Sequence, residues 1–535
     1  MEDSCILCRI LVLCLRILYS TPNLYYILKN YDTKGGFNLS SKSIAFRALL
    51  SLILMIGFYC LAIAISGILI YIPYAEWTYA GKLHLKLAFF CVAGAAIILI
   101  SLIPRRIKFT PPGPRVNQKD NPELFKEITD IANKTNQKMP DEVYILADVN
   151  AWVSERGGII GFGRKRIMGI GLPLMQVLTV SQFRAVLAHE FGHYHGGDTK
   201  LAPWVYKTRR AIENTLEGLS EHSSLLQLPF VWYGKLFLRV SHAVSRAQEF
   251  VADKLAASIV GAEHMIEGLC ITHGTAPVFD PFWKNEVIPV LGSGYLPGIA
   301  KGFEKYLHST PISGIVSNII QEEMDNPKSS PYSTHPPLKE RIEAIKNVNA
   351  DNKNINSELA ITLLEDVSTI EKQILYTIAD NRKVNALKPV DWKDVGEHVY
   401  IPFWDSMVSK QPIALKDFTL RDLPAISQDM KGFISKLNRE GYDGQPPEQQ
   451  VYSLFGAALA YILFRKGWNL EALPGEEVIL MNGDTKIEPF KVLMKLVKGE
   501  IEAEAWMKFC DDAGISEIDL GRVAVGGEQR ELQFA

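Results

Sequence analysis

From Ala48 to Ile72 the chain runs for 25 residues without a charged side chain. As a helix, that length crosses a hydrocarbon core of about 30 Å with some tilt; the competing reading is a buried core helix. A second apolar run, Leu83 to Ile103, carries only His84 and Lys86 near its start. The short segment between them, 73–82, is expected to be a loop, and its Tyr74, Trp77 and Tyr79 suit the headgroup layer. Together the two runs predict a transmembrane helical hairpin. Lys42 and Arg47 precede it, and Arg105, Arg106 and Lys108 follow it, whereas the loop offers one Lys and one Glu. The positive-inside rule then puts both ends, and all that follows, in the cytoplasm. The expectation is an integral membrane protein, of the inner membrane in a bacterium, with the lipid bilayer as one partner. Upstream, Cys5 to Leu18 is apolar but broken by Arg9 and Arg16 and has no small-residue cleavage signal. It reads as an amphipathic helix on the membrane surface rather than a signal peptide.

The remaining length, within a total of 535 residues, leaves room for two or three domains. With 57 Lys+Arg against 59 Asp+Glu and no basic stripe, nucleic acid is excluded as a partner. The seven cysteines (5, 8, 14, 60, 91, 270 and 510) form no disulfide framework, and Cys5–Cys8 is a lone CxxC without a second pair.

After the hairpin, Pro111-Pro112-Gly113-Pro114 predicts a stiff linker. A charged helix follows over 122–137, then a strand at 143–146, and Gly-rich β-formers over 148–170 predict a small sheet. A helix starts at Thr179, which with Gln182 has capping-box spacing, and Gly196-Gly197 stops it. Leu225 to Val240 is apolar but interrupted by Pro229, Lys235 and Arg239, which predicts a membrane-touching or buried amphipathic helix more than a span. A separate helix is expected over 245–257. Past residue 350 the chain is helix-rich with no motif that carries chemistry, and 452–464 predicts a core helix too short to span a bilayer.

The chemistry concentrates at Ala188-His189-Glu190-Phe191-Gly192-His193. With 11 His in the chain, composition alone would produce H-E-x-x-H roughly 0.01 times. On a helix His189 and His193, four apart, project from one face and can bind one zinc through imidazole nitrogens, with Glu190 placed to take a proton from the metal's water. A catalytic zinc normally has a third protein ligand. The candidate lies in Ser245-Arg246-Ala247-Gln248-Glu249-Phe250-Val251-Ala252-Asp253, where Glu249 and Asp253 share a helical face. Glu249 would complete the set and Asp253 would accept the N–H of a ligating imidazole. His195 and His242 compete for the third position, although His195 is only two residues past His193 and off its face.

These two segments together resemble the membrane zinc metallopeptidases that include the CAAX prenyl proteases and HtpX, of the HExxH gluzincin type. A third matching segment is Ser333-Thr334-His335-Pro336-Pro337-Leu338 with Arg341. The likeness spans roughly 115–348. It implies one zinc per chain held by His189, His193 and Glu249, with Glu190 as general base and protein or peptide substrates. Asn150-Ala151 resembles the start of the family's substrate-binding edge strand, although Trp152-Val153-Ser154-Glu155-Arg156 before the glycines departs from the pattern. With one hairpin rather than many spans, CAAX processing is not implied. Zinc hydrolases stabilise the oxyanion with a donor from the opposite wall. His335, in a turn restricted by two prolines, is the candidate, and Arg341 can assist it or pair with a carboxylate such as Asp253.

The expected fold class is α+β, mostly helical: a transmembrane hairpin (1–110), a zincin-like metallopeptidase domain with a small sheet (111–348), and a helix-rich C-terminal region of unassigned role (349–535). The expected function is a membrane-anchored zinc metalloendopeptidase with a possible part in membrane-protein quality control. The alternative is a membrane-anchored binding or chaperone-like protein with a structural zinc site. Sequence leaves the oligomeric state open.

Overall fold

The computed structural model describes residues 41–103, 109–156, 165–195, 202–222, 224–328, 330–349, 355–437 and 446–526. The N-terminal segment expected to be an amphipathic helix, the Cys5–Cys8 pair, the basic residues at 105–108, the glycines of 157–164 and Gly196-Gly197 lie outside them. The described chain is mostly helical with small sheets. It divides into two compact units, Met1–Pro104 with Pro203–Ala247, and Arg105–Ala202 with Gln248–Ala535.

In the first unit, one helix among the described residues is long and apolar enough to cross a membrane, the stretch Leu49–Ala80 of the helix Ser41–Ala80. It continues through the segment expected to be a loop, with Pro73 inside it. An apolar helix tolerates the one backbone bond that proline removes when its neighbours keep theirs. The turn is therefore shorter than expected: Glu76 accepts the backbone N–H of His84 at 3.1 Å and contacts its ring, tying the helix end to the start of Leu85–Ser101. That second apolar helix has 17 residues. Ala202–Ser220 and the first part of Ser224–Val260 complete the unit. Its core includes Phe58, Ala62, Ala95, Ile98, Leu219, Phe230 and Phe237. The Tyr233 hydroxyl donates to the Leu54 carbonyl at 2.7 Å. Its outer face carries exposed Ile53, Ile56, Ile63 and Ile70.

The second unit opens on a four-stranded sheet, β1 (Arg115–Val116), β2 (Glu142–Leu146), β3 (Ala151–Arg156) and β4 (Lys165–Gly171), in the order β1-β2-β4-β3. β2 and β4 are parallel, and the outer strands are antiparallel to their neighbours. The Pro111–Pro114 segment is not a free linker. The Pro114 carbonyl accepts the Ile145 N–H at 3.0 Å, and a Cβ on Gly113 would lie 1.8 Å from the Ile145 carbonyl oxygen. Only glycine lets this segment run against β2. β3 is an edge strand. Its far end is held by Arg156, which donates to Glu142 at 2.8 Å, while Tyr144 and Lys165 bond the same carboxylate.

Helix Pro122–Lys134 packs on the sheet through Leu124, Ile128 and Ile131, and helix Val180–His195 lies against it and against β3. The apolar stretch 225–240 and the expected helix at 245–257 are one continuous helix, Ser224–Val260, with Pro229 inside. Pro229 falls in its second turn, where little of the backbone ladder is lost. One hydrophobic core runs from Val116 to Val399. Residues past 355 share in it, since Ala360 N–H donates to the Leu178 carbonyl at 2.8 Å and Val180 N–H to that of Glu358 at 2.8 Å. A second core runs from Ile401 to Ala524, centred on helix Pro447–Arg465, whose residues Leu454 to Leu463 are all buried. That helix matches the expected core helix, because an apolar stretch of its length saves most free energy by burial on all sides.

Candidate active site

The helix Val180–His195 begins on the expected capping box. Gln182 Oε1 accepts the Thr179 N–H at 2.9 Å, and Thr179 Oγ1 accepts the Gln182 N–H at 3.3 Å. Phe183, Leu187 and Phe191 are fully buried and fix which face meets the core. His189 and His193 therefore leave the helix on a common face, with Nε2 atoms 3.2 Å apart.

Helix Ser224–Val260 crosses beside them at very close range. A Cβ on Gly192 would lie 2.9 Å from Ala252 Cα, so glycine is what allows this approach. The approach brings in Glu249, whose Oε2 is 3.5 Å from His189 Nε2 and whose Oε1 is 3.6 Å from His193 Nε2. One turn further along the same helix, Asp253 Oδ1 lies 2.9 Å from His189 Nδ1, close enough for an ion pair though off the line of an ideal hydrogen bond. Asp253 is fully buried. It is held by Arg341, which donates from Nε at 2.8 Å and Nη2 at 2.7 Å, and whose Nη2 is also 3.3 Å from Glu249 Oε2. His335 places Nδ1 3.1 Å from Glu249 Oε2 while its ring remains 58% exposed.

The site's electrostatics follow from this packing. Burial opposes a charge on His189, but Asp253 and Glu249 outweigh it and carry its pKa up to about 10. Burial, with the neighbouring His189, takes His193 down to about 4. Burial would raise Glu249 and Asp253; for Glu249 the close approach of His189 and His335 reverses this, and for Asp253 the bonds from Arg341 do, so both carboxyls are held low. Glu190 has no such partner among the described residues, and burial pushes it up to about 7.

The donor set can be tested against a metal ion. One ligand atom each from His189, Glu190 and His193 lies within 4.8 Å of the others. Glu249 joins the two imidazoles more tightly than that, and its buried Oε2 has no aligned hydrogen bond. Three atoms bound to one tetrahedral zinc lie about 3.3–3.5 Å apart. The two imidazole Nε2 atoms stand 3.2 Å apart, close to that spacing, and the Glu249 carboxylate faces both, Oε2 at 3.5 Å from His189 and Oε1 at 3.6 Å from His193, so this donor set fits such an ion. Glu190 is left beside them as a carboxyl of intermediate exposure.

The structure thus gathers His189, Glu190, His193, Glu249, Asp253, His335 and Arg341 at one place. It does not bring the competing His242 there; that residue contacts Arg209 at 2.7 Å in the first unit. His195 is the last residue of the site helix. Asn150 is exposed and uses its carbonyl to accept the Gly171 N–H at 2.8 Å, and the buried Ala151 opens β3, the strand beside the site helix. Sequence reasoning missed the part played by Gly192. A glycine in mid-helix is itself the signal for it, since it costs about 1 kcal/mol against alanine unless packing requires it.

Known proteins similar to this chain are proteases. Residues 118–349 match peptidase family M48. A protease HtpX homolog of a Sulfurihydrogenibium species is 22% identical over 246 residues, covering 43% of this chain and 74% of that protein. Protease HtpX of Haemophilus ducreyi is 24% identical over 245 residues, 42% of this chain and 72% of that one. A protease HtpX homolog of Tropheryma whipplei is 27% identical over 156 residues, 26% of this chain, and the chain spans about half its length, 52%. No solved structure matches. The resemblance carried by the three ordered motifs is thereby met from a second direction: residues 118–349 match the model of peptidase family M48, and the relatives named are HtpX proteases.

Proposed function

We propose that this protein is a membrane-anchored, zinc-dependent endopeptidase. The observation that carries the reading is the convergence of His189, His193 and Glu249 at separations of 3.2–3.6 Å with Glu190 alongside. His189, His193 and Glu249 would hold the ion, one per chain. When bound, zinc supplies Lewis acidity to a water and to the scissile carbonyl. Glu190, with its pKa raised towards neutrality, takes a proton from the attacking water and passes it to the leaving amine nitrogen. Asp253, 2.9 Å from His189 Nδ1, orients that imidazole so that its Nε2 faces the site, while Arg341 holds Asp253 in place. His335, on the open side, donates to the oxygen that becomes an anion. Asn150 and Ala151 begin the edge along which an extended peptide would add as a further strand, read through its backbone.

The membrane part of the proposal rests on the helix Leu49–Ala80 and its exposed isoleucines. Leu85–Ser101 would be the second arm of a hairpin, with the peptidase domain on the cytoplasmic side. Backbone reading suits varied protein substrates, as membrane-protein quality control requires. The test is hydrolysis of casein by the wild type and by Glu190→Gln, each with its zinc content measured. Loss of hydrolysis with zinc retained is expected. Equal turnover by Glu190→Gln would remove the general base, and no hydrolysis by a zinc-loaded wild type would favour the alternative of a structural zinc site in a binding protein.

A further inference from the structure

A cavity of about 380 Å³ opens beside the candidate active site and shares His335 with it. Its walls come from four segments: His273 on helix Ala262–Phe282; Ile319, Glu322 and Glu323 on helix Thr310–Asp325; Asn326 to Lys328 just after it; and the turn from Ser333 to Leu338. The same His335 ring that lines the cavity stands 3.1 Å from Glu249. A side chain of a peptide bound across the site therefore has an entrance past His335. The lining divides by chemistry. Ile319, Pro336, Pro337 and Leu338 form an apolar wall, while Glu322 and Glu323 place two carboxylates at the other side. Glu323 Oε2 meets His273 Nδ1 at 2.9 Å, and Glu322 Oε1 meets Lys328 Nζ at 2.8 Å. Burial, the largest influence on His273, lowers its pKa. Lys328 is the sole cation among the lining residues. It sits on a side chain that is 83% exposed and can leave.

We propose that this cavity is a specificity pocket that takes a lysine or arginine side chain of the substrate, next to the bond cleaved. The apolar wall covers the methylene stem and the carboxylates receive the charged head, which is how long basic side chains divide themselves between apolar and polar surroundings. Glu323 binds the cation, and Lys328 competes with it for Glu322. The proposal rests on the endopeptidase reading of the neighbouring site and adds the residue class it selects.

The experiment uses the full-length, zinc-loaded protein in detergent and a fluorogenic peptide set varied two residues to either side of the scissile bond. In the wild type, Lys and Arg at one position should exceed Met in kcat/KM by on the order of tenfold, the scale of two half-exposed ion pairs. The Lys-to-Met ratio should fall towards one in Glu323→Gln and rise in Lys328→Ala, an increase that mere destabilisation does not produce. A wild type without basic preference, or a ratio that neither variant moves, overturns the pocket while casein hydrolysis stands. Casein hydrolysis that is absent in the wild type, or survives in Glu190→Gln, overturns the underlying reading. Independently of turnover, zinc-loaded Glu190→Gln should bind a Lys peptide more tightly than its Met counterpart in fluorescence anisotropy, and equal binding would count against the pocket.

Discussion

Replacing Gly192 with alanine puts the geometry of the site under direct load. The new Cβ would stand 2.9 Å from Ala252 Cα and 3.0 Å from Ala252 Cβ. Ordinary carbon contacts lie at about 3.5–4.0 Å, so the two helices must separate by roughly 0.6–1 Å. Glu249 and Asp253 ride on the same helix as Ala252 and move with it. A metal site tolerates departures of only about 0.2 Å in its bond lengths. Overpacking costs about 1–3 kcal/mol, against roughly 1 kcal/mol gained from alanine's helix propensity. The fold should therefore survive with a loss of about 1 kcal/mol, whereas zinc affinity should drop about tenfold or more, as when a supporting group around a metal is disturbed. The assay is competition with a chromophoric chelator on the full-length protein, with thermal unfolding of the metal-free form alongside. Ala252→Gly in the same chain should restore affinity only in part, because it removes the Cβ at 3.0 Å but leaves the Cα at 2.9 Å. A Gly192→Ala protein with a raised Tm and unchanged zinc affinity would refute the close-approach argument.

Other outcomes follow from the same packing. Arg341→Met should leave Asp253 buried beside His189 with its main partner gone, costing about 3–5 kcal/mol and lowering zinc affinity, and an unchanged Tm would refute it. Glu371 is buried and its carboxyl, raised chiefly by desolvation, sits at about 7 although it accepts the Ala300 N–H at 2.9 Å. Because the folded pKa lies above the unfolded value of 4.5, its stabilising contribution is complete below about 4.5 and is lost as pH rises through 7. That is about 3 kcal/mol at most, so unfolding at pH 5 and pH 8 should differ less in Glu371→Gln than in the wild type, and equal pH slopes would contradict it.

The parts of the fold legible in the sequence were those set by local rules. The capping box at Thr179 and Gln182, the apolar face of the site helix, and the all-round apolar core helix at 454–463 each follow from neighbours within a few turns. The shared face of Glu249 and Asp253 follows from helical spacing, but their distance to His189 does not, because it depends on Gly192 meeting Ala252 across two helices. Long-range pairing was likewise out of reach. Nothing near Pro111–Pro114 says that it lies against Ile145, and nothing near residue 358 says that it bonds to Val180. Proline misled at Pro73, where the helix runs on because a single missing N–H in an apolar helix is tolerated, and the helices expected at 225–240 and 245–257 are one. The cavity at His273 and Glu323 had no sequence signal, since its walls come from separate segments of the chain.

The central claim is that His189, His193 and Glu249 together hold one catalytic zinc. Elemental analysis with zinc-edge absorption spectroscopy on the wild type and on Glu249→Ala tests it most directly. The account predicts one zinc per chain in the wild type, with two nitrogen ligands from imidazoles and oxygen donors at about 2.0–2.2 Å, and most of the metal lost in Glu249→Ala. A Glu249→Ala protein that keeps one zinc in an unaltered ligand shell, and still cleaves casein, would contradict it.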